Sequence, residues 1–162
     1  MTLPRLPMGK ALRDALEAGT GKPCGWGGFP RVGNPAVPAE PPFTVLYDLP
    51  GTTYAGPPLD DDHADVEWVW QVTCVARRAD QAIWLGDKER EVVLGKVAGI
   101  YVHPLAVAGM VVIGRRSDGD GGVDGQDGVV NYSERFALTV TGADACRSSR
   151  SRRSRQSPRR CT

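Results

Sequence analysis

The sequence predicts an α+β fold, a mixed and largely antiparallel sheet of about four to five strands with an N-terminal helix and a central helix packed on one face. Three patterns carry that reading. From Val66 the chain alternates, placing Val66, Trp68, Trp70, Val72, Cys74 and Ala76 on one side and Glu67, Val69, Gln71, Thr73 and Val75 on the other, a buried face backed by a mixed one. A helical segment follows almost at once and runs to Leu94. A second alternating run sets Tyr132, Glu134, Phe136, Leu138 and Val140 against Ser133, Arg135, Ala137, Thr139 and Thr141.

Taken in order, Met8 to Ala18 reads as a short docking helix with Leu12, Ala15 and Leu16 on one side and Gly19 as its stop. Gly19 to Pro42 is dense in Gly and Pro, so an irregular extended segment is expected, pinned to the body by Trp26 and Phe29. Phe43, Val45, Tyr47 and Leu49 alternate with Thr44, Leu46 and Asp48, a first strand that Pro50-Gly51 ends. Thr52 to His63 is a loop, and two strands so joined are most simply antiparallel neighbours. In the central helix Ala79, Ala82, Ile83, Gly86 and Val93 share an inward stripe, while Trp84 falls opposite, among Asp87, Lys88 and Glu91. Gly95 is expected to close this helix in a left-handed conformation. Gly99 to Val102 and Val107 to Arg115, broken by His103-Pro104, are apolar enough to pair as a hairpin. Ser117 to Gly128, almost wholly Gly, Asp and polar residues, reads as a mobile loop. The last strand, Tyr132 to Thr141, turns its polar face to solvent.

A chain of 162 residues with 41% hydrophobic and 24% charged content has the material for one domain with a real core, here residues 1–142. Residues 143–162 form an Arg/Ser-rich tail without apolar residues to offset ordering entropy, so disorder is expected there. The formal charge of +1 hides a division: seven arginines lie beyond Asp144, and without them 13 basic residues face 19 acids, a body charge of −6. An acidic body is a poor partner for phosphates, so no specific nucleic-acid binding is expected from it. No apolar run is long enough to cross a bilayer and the first residues lack the apolar core of a signal peptide, which points to a cytosol-like space and no membrane partner. Cys24, Cys74, Cys146 and Cys161 have neither metal spacing nor a disulfide framework, so four reduced thiols are expected, with Cys74 pointing into the core.

Catalytic chemistry has little to stand on. Asp60, Asp61, Asp62, His63 and Asp65 could offer oxygen and imidazole donors to a divalent ion, but neighbours in an extended chain diverge, and a solvated loop is the simpler reading. Asp118, Asp120 and Asp124 lack the ligands a calcium loop needs, since Gly122 and Val129 stand where an acid or amide and a bidentate Glu belong. His63 and His103 sit in no nucleophile context, and no phosphate-cradling glycine loop is present. No catalytic, metal or cofactor residues are assigned. Trp84 keeps two readings, cover for a neighbouring loop or a contact for a partner.

Several segments acquire meaning from their order: the N-terminal helix, a Gly/Pro-rich stretch with Gly25-Trp26-Gly27, Thr44-Val45-Leu46-Tyr47 ending in Pro50-Gly51, Gln71-Val72-Thr73, Arg77-Arg78-Ala79-Asp80-Gln81-Ala82, Trp84-Leu85, and Ser133 to Thr141. Over Met8 to Gly142 this order resembles the small tail terminator proteins of long-tailed phages that infect actinobacteria, a group similar in role to the lambda tail terminator. The Arg/Ser tail and the apolar run Gly99 to Ile113 depart from that pattern. The resemblance implies a structural virion protein without enzymatic activity or cofactor. It implies a homo-oligomeric ring, typically a hexamer, that caps the tail tube, stops its polymerisation and presents a joint to the head-completion or neck proteins. The expected location is the head-proximal end of the tail in the virion, and the host cytoplasm during assembly. Arg78, Asp80, Trp84, Arg90 and Glu134 are the expected oligomer or partner contacts, as charged or aromatic groups near the strand-helix unit. The alternatives are another neck or head-tail connector protein, a nucleic-acid or partner-binding module acting through the basic tail, and a metal-dependent enzyme using Asp60 to Asp65.

Overall fold

A computed structural model describes residues 3–55, 65–126 and 128–143. Along the chain, α1 (Arg5–Thr20) is followed by β1 (Cys24–Trp26), a small hairpin of β2 (Arg31–Val32) and β3 (Val37–Pro38), then β4 (Phe43–Ala55) and β5 (Asp65–Ala76). The central helix α2 (Ala79–Leu94) leads to a second small hairpin of β6 (Lys96–Val97) and β7 (Ile100–Tyr101), and then to the long strands β8 (Met110–Gln126) and β9 (Val129–Gly142). The main sheet has five strands in the order β1-β4-β5-β9-β8, antiparallel except for the parallel pair β1-β4. The α+β class, the mixed sheet and the two helices on one face are thus as the sequence predicts.

The tryptophan strand is the middle of this sheet. Val66, Trp68, Trp70, Val72, Cys74 and Ala76 are all buried, and the first four meet Met8, Leu12 and Leu16 of α1 and Val92 and Val93 of α2 in one core. Trp68 and Trp70 pack edge to face, with ring centroids 5.9 Å apart, a geometry that adds to their area burial. β4 and β5 are the expected antiparallel neighbours. No helix among the described residues is long and apolar enough to cross a membrane.

Several boundaries differ from the sequence expectation, each for a physical reason. The first helix runs from Arg5 to Thr20 and ends at Gly21, which is left-handed at φ 65°. Gly19 lies inside the helix, where a Cβ would strike Val92 of α2; its small size serves helix packing instead of termination. The Gly/Pro-rich segment is not wholly irregular, since β1 extends the sheet and the β2-β3 hairpin lies apart from it. Trp26 closes on Gly9 of α1, and Phe29, although 70% exposed, packs edge to face on Phe43. Pro50-Gly51 interrupts the β4 ladder as an irregularity between Asp48 and Thr52, and the strand then resumes to Ala55. The rest of the expected loop, with Asp60 to His63, lies outside the described residues.

The α2 stripe is rotated from the expected one: Ala82, Leu85, Gly86, Glu89, Val92 and Val93 are buried and Ile83 is exposed. Its last turn ends at Leu94 as expected, but Gly95 has φ −59° and no left-handed cap forms. The pieces Gly99 to Val102 and Val107 to Arg115 do not pair. Ile100 and Tyr101 fold back on Lys96 and Val97 through a two-residue turn of Ala98 and Gly99, both at positive φ, while Val107 only bridges to Met110 as β8 begins.

The largest departure is Ser117 to Gly128. Ser117 to Gln126 is strand, the far half of β8, because β9 beside it offers backbone partners along its length and two register shifts there absorb the extra residues. β9 lies between β5 and β8, and its polar side is the sheet face away from the helices, with Arg135 exposed and Ser133 and Thr139 half-buried, although Ala137 and Thr141 on that side are buried.

Candidate functional site

The expected interface residues fall into two groups. Arg78 is the residue capping the start of α2 and Asp80 lies in its first turn, where a carboxylate complements the helix dipole. Arg78 Nε donates to Asp80 Oδ1 at 3.0 Å and Nη2 donates to Oδ2 at 2.6 Å, a two-pronged pair. Both side chains are exposed, so the pair adds little stability, but it fixes the direction of the guanidinium. Together with Gln81 and Trp84 these residues line a shallow surface depression of about 400 Å³. Trp84 is 48% exposed, with Ile83 beside it at 44%. The fold thus gathers three of the five residues, Arg78, Asp80 and Trp84, on one patch.

Arg90 and Glu134 form the other group, and Glu134 corrects the expectation. It is only 2% exposed, beneath α2 on the same face of β9 as Phe136 and Leu138, and does not itself reach a partner. Its Oε1 accepts from Arg90 Nε at 3.1 Å and from Ser117 Oγ at 2.8 Å, and Arg90 Nη2 stands 2.9 Å from Oε2 as an ion-pair contact. Arg90 also donates to the Tyr132 hydroxyl at 2.9 Å and to Asp87 at 3.3 Å. Bonding to Glu134 raises the Arg90 pKa. The node ties α2, β8 and β9 together, with Arg90 presenting only its outer edge. Close packing completes it: a Cβ on Gly86 would collide with the Tyr132 ring.

A second buried node escapes the sequence reading. Glu89, 1% exposed, accepts from the Cys74 thiol at 2.9 Å; its Oε1 and the hydroxyl of buried Thr44 have no hydrogen-bond partner of good geometry among the described residues. Burial pushes the Glu89 carboxyl up to about 8, with Glu134 adding to the rise and the Cys74 and Thr44 groups opposing it. Burial also raises the Cys74 thiol, and lifts Cys24 to about 12, so neither is a nucleophile at neutral pH. The signal for Glu89 was present in the helical ladder Ala82, Leu85, Gly86, Glu89 and Val93.

Two arginines were also missed. Arg5 Nε stands 2.6 Å from Asp48 Oδ1, and its Nη2 donates to the carbonyls of Leu49 and Val69 at 2.8 and 2.6 Å. Arg115 donates to the carbonyls of Val93 and His103 at 3.1 and 2.9 Å and lies 4.0 Å over the Tyr101 ring. Nothing in the local sequence announces either, since both depend on contacts far along the chain.

Among the described residues no group of three His, Cys, Asp or Glu side chains is placed to hold a metal ion. Asp118 is tied to Arg116 at 2.6 Å, and Asp120 and Asp124 belong to β8. No protein-family model matches this chain, and no curated protein sequence matches it significantly. What is defined is therefore an architecture: a mixed five-stranded sheet with two helices on one face and an aromatic-centred surface patch on the second helix.

Proposed function

We propose that this chain is a structural virion assembly protein, a tail terminator that forms a homo-oligomeric ring, six-membered in the family it resembles, on the end of a phage tail tube. The ring stops tube polymerisation and offers its far side to the head-completion proteins. The observation that carries this reading is Trp84, half exposed beside the preset Arg78-Asp80 pair on a helix whose other face is locked into the sheet. Exposed Trp and Arg at the centre of a patch are the residue types that dominate association energies. The ordered motifs from the N-terminal helix to Ser133-Thr141 give the patch its context. Such a role needs rigid surfaces and no catalytic centre, cofactor or membrane.

The test is Trp84→Ala assayed on growing tail tubes. The variant is expected to keep the wild-type melting temperature, because it removes no core side chain, and to lose tube capping. A variant that folds and caps normally would remove the patch from the account.

A further inference from the structure

Within the proposed ring, the two edges of the main sheet point to how neighbouring copies meet. β8 is one outer strand, and no strand among the described residues pairs with its free side. At the opposite edge β1 covers only Thr44 to Leu46 of β4, and no other strand among the described residues pairs with the remainder of β4 on that side.

The uncovered stretches lie at the same level of the sheet. Across the ladders Asp48 aligns with Trp70, Phe136 and Ser117, and Thr52 aligns with Trp68, Leu138 and Arg115. The β1-covered part of β4 is instead level with the Gly/Asp-rich half of β8, since Leu46 aligns with Val72, Glu134 and Asp120. That half carries two of the three β8 register shifts, a device that blunts an edge against pairing. The half running Met110 to Arg116 is apolar up to Gly114, and its bulged residue Ile113 is 51% exposed. β4 and β8 run in opposite directions, so a lateral repeat of the sheet would set them side by side as an antiparallel pair.

Charge agrees with this arrangement. Arg115 sits at the β8 edge on the helix-covered face; its Nη1 is held by the Val93 and His103 carbonyls and its Nε is buried without a hydrogen-bond partner, but it makes no ion pair among the described residues. Asp48 sits at the β4 edge on the same face, opposite Trp70, with its side chain 45% exposed beside Arg5. The two differ by only two residues in level, within reach of an arginine side chain.

We propose that copies of this chain join head to tail by sheet extension, β8 residues 110–116 of one copy lying antiparallel to β4 residues 48–55 of the next, with Arg115 meeting Asp48 of the partner subunit. Such a heterologous contact uses two different surfaces and generates a ring when its rotation closes. It leaves the Trp84 patch, which lies over the sheet face, free for the tube or the neck.

The proposal rests on the ring reading, and two measurements separate them. Sedimentation of the full chain over a concentration series and in the presence of tail tubes establishes assembly, and hydrogen exchange with mass spectrometry locates the contact. Assembly is expected to slow amide exchange by about tenfold or more in residues 110–116 and 48–55, and to leave 118–126 unchanged. Assembly without protection at these edges overturns the sheet-extension contact while the ring stands; a chain that stays monomeric in solution and on tubes overturns both. Ile113→Lys supplies the second arm: an exposed position tolerates the charge in the monomer, and the buried ammonium should weaken assembly by about tenfold. Undiminished assembly of a folded Ile113→Lys protein contradicts the proposal.

Discussion

Arg90 on the central helix and Glu134 on β9 hold each other across the helix-sheet seam, Nε to Oε1 at 3.1 Å, with the carboxylate buried and the guanidinium half open to solvent. The asymmetry makes the pair unequal under mutation. Arg90→Met strands a buried carboxylate that keeps only the Ser117 hydroxyl, and should cost about 2 kcal/mol. Arg90→Met combined with Glu134→Gln should recover part of that loss, because the charge is gone. Urea denaturation of the wild type, the two single variants and the double variant checks it; an additive double mutant would show that the two residues are not coupled.

Glu89 gives the protein a pH dependence of its own. Its folded-state carboxyl is raised from an ordinary 4.5 to about 8, so the stability it contributes is fully present below about 4.5. As pH rises through the window between those values the unfolded chain loses the proton and the folded one keeps it, and stability falls by up to about 1.4 kcal/mol per pH unit. Above about 8 the decline from this group ends. Glu89→Gln should flatten the curve across that window, measured by denaturant midpoints at successive pH values. A Gln variant with the wild-type slope would place the titration elsewhere.

The β6-β7 turn offers a gain. Ala98 has φ 51° and is followed by Gly99 at φ 81°, a pair of left-handed residues that an Asn-Gly turn adopts more readily. Ala98→Asn should therefore stabilise the protein by about 0.5–1 kcal/mol. Thermal denaturation decides it, and a lowered melting temperature would count against the turn geometry.

The parts of the fold legible in the sequence were those fixed by local alternation. Val66 to Ala76 announced the central strand because its large apolar residues recur with period two, and both helices were visible, the second with its end at Leu94, although the ends of the first were not. The Ser117 to Gln126 strand was not legible because its composition favours a loop, and only the ladder with β9 makes it a strand. The Trp84 patch could be read from helical spacing, since Arg78, Asp80 and Trp84 are close in the chain. Arg90 and Glu134 could be named but not placed, because 44 residues separate them and the side of α2 that faces the sheet was misjudged through Ile83. Glu89 was hidden by its residue type: a carboxylate in a buried stripe looks like surface until the Cys74 and Thr44 groups around it are in view.

The most direct test of the central claim is electron microscopy of tail-tube subunits polymerising with and without this protein. The account predicts short tubes of regulated length, each closed at one end by a ring of added density, with no such effect from an unrelated acidic protein. Tubes that grow to the same lengths with both ends bare at saturating protein would contradict it.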